Sequence, residues 1–396
     1  PDASLFTLNP ATGDLSFATR PDFESPEDAN TDNLYELTVT ASDGNESAVQ
    51  PVYVTIKDWY DGTWSKITDS NATNGSKFGS SAAFSRDLLA VSGTRSLSIL
   101  ECSNFSDPSL KDKVEINFSS YTELRQMAFS GNFLSIGNSA LSNEVVILKI
   151  SDSGELNASK YLSGNPIGHF GGFGKIAVVN HDTLYVSNYD QNGVIDDVIN
   201  VFDLADYPNV PLMQTIPREQ YNMWNGAFME VSNNYLLTSN FHGTIETYIV
   251  EDNNSLVFDN NVTVDPQYTS GSGRFGVSMA TTERGFFIGS RSGTDSVLSY
   301  SIDENGTSNF IEEIHSPDLQ FDFSSGANDL LSANSNFLVI GSRLNNLKGV
   351  VYLYRIEDNG SSTFLQKITS PDGMPNDYFG DTVALSGTTL AIGAPQ

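Results

Sequence analysis

Residues 377–396 read DYFGDTVALSGTTLAIGAPQ, and within them 381–387 and 389–394 are two short runs of alternating apolar and small residues joined at a Ser-Gly turn. Period-two alternation bounded by turn residues is the pattern of a β-hairpin. A lone hairpin has an apolar face and nothing to bury it against, so these residues demand partners elsewhere in the chain.

The closing pattern recurs through the sequence as DLLAVSG (87–93), NFLSIGN (132–138), TLYVSN (183–188), YLLTSN (235–240), GFFIGS (285–290), NFLVIGS (336–342) and TLAIGA (389–394). Its first core positions, Leu89, Leu134, Leu184, Leu236, Phe286, Leu338 and Leu390, are 45, 50, 52, 50, 52 and 52 residues apart. A period of about 40 to 50 residues is that of a propeller blade. Each unit holds short strand patterns such as DTVALSG, TLAIGA, GVVYLYRI and STFLQKIT, and four strands make one blade. Between the third and fourth, EDNNS, DENGT and EDNGS supply turn residues suited to two-residue hairpins.

Eleven residues before the core position, Phe78-Gly79, Phe173-Gly174, Phe275-Gly276 and Phe379-Gly380 mark the odd-numbered units. With YFGDTVALSGTTLAIGAP the chain here resembles the FG-GAP repeat, the propeller unit of integrin α subunits and many extracellular proteins. The second and fourth units carry Glu123-Leu124 and Asn225-Gly226 instead, and Trp224 is placed to fill the space Phe fills elsewhere. The turns between the first two strands are too short for that family's calcium loop. The resemblance implies a seven-bladed β-propeller over 64–396 with its last blade incomplete. TWSKIT (63–68) matches the fourth-strand pattern TFLQKIT (363–369) and is expected to be the outer strand of that blade.

Before the repeats, Phe6, Thr12-Gly13, Asp22-Phe23-Glu24, Tyr35, Leu37, Val39 and Asp43 resemble the second half of a cadherin-like repeat. The whole is therefore expected to be all-β: a partial cadherin-like (immunoglobulin-like) β-sandwich at 1–58, a linker at 59–63, and the propeller. The resemblance implies calcium held by Asp22, Glu24, Asp43, Asp58 and Asp61, since a hard cation takes oxygen ligands; exposed loop acids are the alternative. Asp190, Asn192 and Asp196 have spacings like a calcium loop without its closing Glu, and a solvated hairpin loop explains them as well. Absent first strands of the sandwich and a start at Pro1 lead to the expectation of a window on a longer chain.

With 20 Lys+Arg against 49 Asp+Glu the net charge is −29, which argues against nucleic acid or an anionic membrane as partner. No apolar run approaches the roughly 20 residues of a membrane span. Cys102 is the only cysteine, so no disulfide framework exists and a buried thiol is expected. Sequons at Asn104, Asn157, Asn253, Asn305 and Asn359 fall between third and fourth strand patterns, where glycosylation and turn chemistry compete as explanations.

No nucleophile elbow, HExxH or phosphate loop is present, and the four histidines lie in different units, so the sequence makes no positive case for an enzyme. In an up-and-down blade the sequon-bearing turns leave one end and the connections between blades the other. That second face gathers IPREQYNMWNG, VDPQYTSGSGRFG and SPDGMPNDYFG, so Arg218, Tyr221, Tyr268 and Arg274 are candidate ligand contacts, with charge neutralisation and packing as the bland alternative. The expected function is that of a secreted or cell-surface adhesion or structural glycoprotein, binding an extracellular protein or glycan, or neighbouring copies through donated strands. A propeller that binds or degrades a polysaccharide is the alternative.

Overall fold

A computed structural model describes residues 2–395 except 11, 20, 22–25, 43, 57–63, 70–76, 105–106, 117–123, 139–142, 165–172, 175, 189–197, 218–227, 233, 240–243, 269–273, 292–294, 304–305, 319–320, 322, 324–329 and 344–347. The chain divides into two compact units, Pro1–Thr63 and Trp64–Gln396.

The first unit contains β1 (Phe6–Leu8) and β2 (Leu15–Phe17), paired antiparallel, and β3 (Leu34–Ser42) and β4 (Ser47–Thr55), paired along their whole length. Phe6 and Phe17 pair across the first hairpin at 4.2 Å between ring centres, and Tyr35, almost fully buried, meets Phe17 edge-on at 5.1 Å. The buried Asp2 carboxylate accepts the N–H of Ala29 (2.9 Å) and of Glu36 (2.7 Å), which holds it below the usual carboxylate range. The expected cadherin-like sandwich is not seen. The described strands form two separate two-stranded sheets.

In the second unit each of the first six repeats becomes an antiparallel four-stranded sheet. The first is β5 (Ala82–Ser85), β6 (Leu88–Ser92), β7 (Ser96–Glu101) and β8 (Ser109–Glu115); the second is β9 (Leu124–Ser130), β10 (Phe133–Asn138), β11 (Glu144–Ile150) and β12 (Leu156–Ser163). The third is β13 (Ala177–Asn180), β14 (Thr183–Asn188), β15 (Val198–Asp203) and β16 (Leu212–Pro217); the fourth is β17 (Met229–Val231), β18 (Tyr235–Ser239), β19 (Thr244–Val250) and β20 (Leu256–Thr263). The fifth is β21 (Arg274–Thr281), β22 (Gly285–Arg291), β23 (Ser296–Ile302) and β24 (Ser308–Ile314); the sixth is β25 (Leu331–Ala333), β26 (Phe337–Ser342), β27 (Val350–Ile356) and β28 (Ser362–Ile368). The chain ends in β29 (Thr382–Ser386) and β30 (Thr389–Gly393), paired only with each other.

This is an all-β propeller with six blades rather than the expected seven. Successive inner strands β5, β9, β13, β17, β21 and β25 lie side by side, and β29 lies against both β25 and β5. The hairpin thus stands where a seventh blade would, with half the strands of one. Apolar clusters fill every junction between neighbouring sheets, but those flanking the hairpin have only four and six buried members among the described residues, against nine to thirteen elsewhere.

Two local devices repeat. Each of the six third-to-fourth strand ladders shifts register once, just before the connecting turn, as at Leu353/Tyr354 and Ser299/Tyr300. Such a bulge twists the outermost strand and blunts the edge it presents to other chains. The turns themselves correct the two-residue reading. Glu357 N–H donates to Ser361 O (2.8 Å) and Gly360 N–H to Glu357 O (2.9 Å), with only Gly360 of this turn at positive φ (+81°). That is a three-residue loop ending in a left-handed residue, and Glu251–Ser255 and Asp303–Thr307 repeat its hydrogen bonds.

Candidate functional site

The hairpin is the site that the fold sets apart. A two-residue turn at Gly387 (φ +56°) and Thr388 joins its strands, and Ser386 pairs with Thr389. Alternation along an antiparallel pair then turns the N–H and C=O of Leu390 and Ile392 away from β29, toward an open edge. Val383, Leu385, Leu390 and Ile392 pack toward blade six, and Ala384 and Ala391 toward blade one. Gly393 lies so close to the carbonyl of Gly79, and Gly341 to that of Gly380, that a Cβ at either would overlap the oxygen. The glycine of each closing Ile-Gly is therefore needed where the next blade's Phe-Gly backbone crosses it.

Segment 64–69 runs beside this hairpin without entering a ladder. Ile67 joins Leu100, Cys102, Ala384 and Ala391 in the junction with blade one, so the expected outer strand is near its place but unpaired. Lys66 ion-pairs with Asp372, whose other oxygen accepts the Ser370 hydroxyl (3.1 Å), and Lys113 reaches Asp69 at 2.6 Å. The ammonium holds the Asp372 carboxyl below its usual range, and the carboxylate raises Lys66. Between 64–69 and the outer half of blade one lies a cleft of about 470 Å³, lined by Ile67, Phe78, Ser98, Leu100, Leu110 and Lys113. Cys102 is buried as expected, and burial, then the charges of Asp87 and Glu101, push its thiol up to about 11.

Where the connections between blades emerge, Arg343 follows the end of β26 and Tyr378 precedes β29. The Arg343 guanidinium stands 5.0 Å from the centre of the Tyr378 ring and donates from Nη1 to Asp381 (3.1 Å). Tyr378 has φ +56°, costly for a bulky residue, and Gly349 is bridged to the adjoining Phe379. A fixed guanidinium, stacked on an aromatic face and a quarter exposed, is suited to a planar anion.

Of the expected metal ligands, Asp22, Glu24, Asp43, Asp58, Asp61, Asp190, Asn192 and Asp196 all lie outside the described residues. Arg218, Tyr221, Trp224 and Asn305 do as well. Among the described residues no three His, Cys, Asp or Glu are grouped to hold a metal. Tyr268 is half-buried against the core between blades four and five, 6.2 Å from the Phe310 ring, and burial, then Glu313, raises its hydroxyl. Arg274 opens β21 opposite Arg291. Asn104, Asn253 and Asn359 are exposed in turns, whereas Asn157 lies inside β12 rather than in the connection. Asn253 and Asn359 accept the backbone N–H of Ser255 (2.8 Å) and Ser361 (3.0 Å), which is turn chemistry in the sequon itself. Sequence reading passed over Arg343 and Tyr378; the available signal was a cation among only 20 placed directly after an Ile-Gly-Ser strand end.

Residues 363–396, which span β28 and the hairpin, match the FG-GAP repeat. No curated protein matches the chain. Among solved structures it is similar to a periplasmic gluconolactonase of Pseudomonas aeruginosa at 15% identity and TM-score 0.55, covering 92% of this chain and 100% of that one. A putative 6-phosphogluconolactonase from Bacteroides uniformis matches at 14% identity and TM-score 0.53, over 85% of this chain and 98% of that one. A Lactobacillus plantarum protein matches at 12% identity and TM-score 0.54, covering 86% and 96%. At such identities the likeness is one of fold.

Proposed function

We propose that this is a ligand-recognition propeller of an extracellular adhesion or structural protein, which holds an acidic glycan or protein carboxylate on the face carrying Arg343. The observation behind this reading is the guanidinium fixed between Tyr378 and Asp381, whose carboxylate it already pairs with, in a chain of net charge −29 where cations are scarce. FG-GAP repeats are typical of extracellular proteins, in keeping with the match at 363–396. Calcium at the acidic residues of the first unit, and glycans on the exposed turn asparagines, belong to the same reading. The test is binding to immobilised polygalacturonate. Arg343→Ala is expected to weaken it at least about tenfold, roughly 1.4 kcal/mol, and Arg343→Lys to restore little, because a point charge neither stacks nor forks as a guanidinium does. Equal binding by the folded Ala variant overturns the site.

A second reading, hydrolysis of a sugar lactone, draws on the likeness of fold to a gluconolactonase and a putative 6-phosphogluconolactonase. Turnover of glucono-lactone above its spontaneous rate by the purified chain would favour it, and shortening of the polygalacturonate would favour polysaccharide cleavage.

A further inference from the structure

The second strands of blades five and six end in one motif, FFIGSR (286–291) and LVIGSR (338–343), so Arg291 holds in blade five the position that Arg343 holds in blade six. No other unit carries arginine at that position. Along β22, Arg291 alternates onto the face of Phe287, which packs into the core shared with blade six, and packed sheets stand about 10 Å apart. The two guanidiniums therefore belong to one face of the propeller, a single blade apart.

Their surroundings differ. Arg343 is paired with Asp381, whereas Arg291 is half-buried and no described residue pairs with it. Every other arginine or lysine whose side chain is described has a partner, except Lys348, exposed in the connection that Arg343 begins. Although the chain has 49 acids, its two unmatched described cations thus lie on the face that carries Arg343. The ladder adds a third arginine to this face. Arg274 is the partner of Arg291 across β21 and β22, and like charges set opposite each other in a sheet are destabilising.

We propose that the Arg274–Arg291 ladder pair is a second anion subsite which, resting on the Arg343 reading, binds with Arg343 successive carboxylates of one uronate-type polysaccharide lying across blades five and six. An anion there offsets the like-charge repulsion of the pair. A uronate polymer carries its carboxylates at fixed intervals on a stiff chain, so it meets two held guanidiniums with little further ordering, whereas an acidic peptide is ordered only as it binds. Each guanidinium takes a carboxylate in the two-point geometry that an ammonium lacks, and engaging both at once multiplies the affinity of either.

The test is binding of the full chain to polygalacturonate, with Arg291→Gln measured beside Arg343→Ala. Arg291→Gln is expected to weaken binding at least about tenfold, through loss of a charge-assisted contact, and to raise the melting temperature without glycan by relieving the repulsion from Arg274. A fall in melting temperature together with the weaker binding would make Arg291 a packing residue and overturn its subsite. If Arg343→Ala weakens binding and Arg291→Gln does not, the Arg343 site stands and the second subsite falls. If only Arg291→Gln weakens it, the blade-five pair stands and the Arg343 site falls. No binding by the parent chain overturns both, and tighter binding of polyglutamate overturns the polysaccharide.

Discussion

Leu338 and Leu390 stand 52 residues apart at one position of one repeat, in NFLVIGS and TLAIGA, yet Leu338 is wholly buried and Leu390 only half so. Both pair with a first strand in the same register, closed by a short turn. What differs is the other side. Tyr354 and the outer half of blade six cover Leu338, and no described strand pairs on the far side of Leu390. A propeller strand owes its burial to the sheet around it more than to its own residues, so similar motifs at one repeat position are unequally buried.

The sharpest way to break this comparison is to truncate both leucines. Leu338→Ala empties a closed core and is expected to cost about 3 kcal/mol, whereas Leu390→Ala, with solvent already beside it, costs about 1 kcal/mol. Chemical denaturation of both variants measures the difference. Equal losses would mean that the hairpin is covered as fully as a blade.

How far the sequence disclosed this arrangement depends on what each residue's neighbours are. The six blades were legible because alternation, turn glycines and a period near 52 act locally and repeat. The blade count was not, since seven copies of a two-strand motif do not say how many acquire their outer strands. TWSKIT matches a fourth strand in pattern, and Ile67 does pack beside Ala384 and Ala391, but residues 64–69 enter no ladder among the described residues. Asn157 reads as a turn residue but lies in β12, two residues past the turn that Ser151 N–H and Glu155 O close, whereas Asn253 and Asn359 sit inside the equivalent turns. Arg343 and Tyr378 meet across two connections 35 residues apart, a proximity no periodicity encodes.

The junctions on either side of the hairpin offer a second contrast. Gly393→Ala would push a methyl into the carbonyl of Gly79, and Gly341→Ala into that of Gly380. Each is expected to cost about 2 kcal/mol by overpacking, with Gly393 the milder since its blade has more freedom to shift. Thermal melts of the two variants decide it, and a neutral Gly393→Ala would show that β30 is not held against blade one. Cys102 reports on that same junction. With its thiol pushed up to about 11, little thiolate exists at pH 8, so a thiol reagent should label the native chain far more slowly than the denatured one. Fast labelling of native protein would mean that the junction opens.

The smallest expected effect concerns how segment 64–69 is tied down. Its ion pair from Lys66 to Asp372 joins side chains about half exposed, so screening by water leaves it little worth to the fold as a whole. The signs of the shifts define when it acts. Asp372 is lowered below its ordinary value of 3.8, so its contribution is present above that value and lost as pH falls through the lower folded one. Lys66 is raised above 10.5, so its share is present below that value and lost as pH rises through the higher folded one. Between these limits the tie is constant, and it should weaken in acid or in concentrated salt. Trp64, half exposed two residues away, is the reporter. Asp372→Asn is expected to raise acrylamide quenching of tryptophan fluorescence at pH 7, to remove the further rise that acid brings to the parent chain, and to leave the unfolding midpoint nearly unchanged. A midpoint drop approaching that of Leu338→Ala would instead make this segment part of the core, and the hairpin a blade in all but hydrogen bonding.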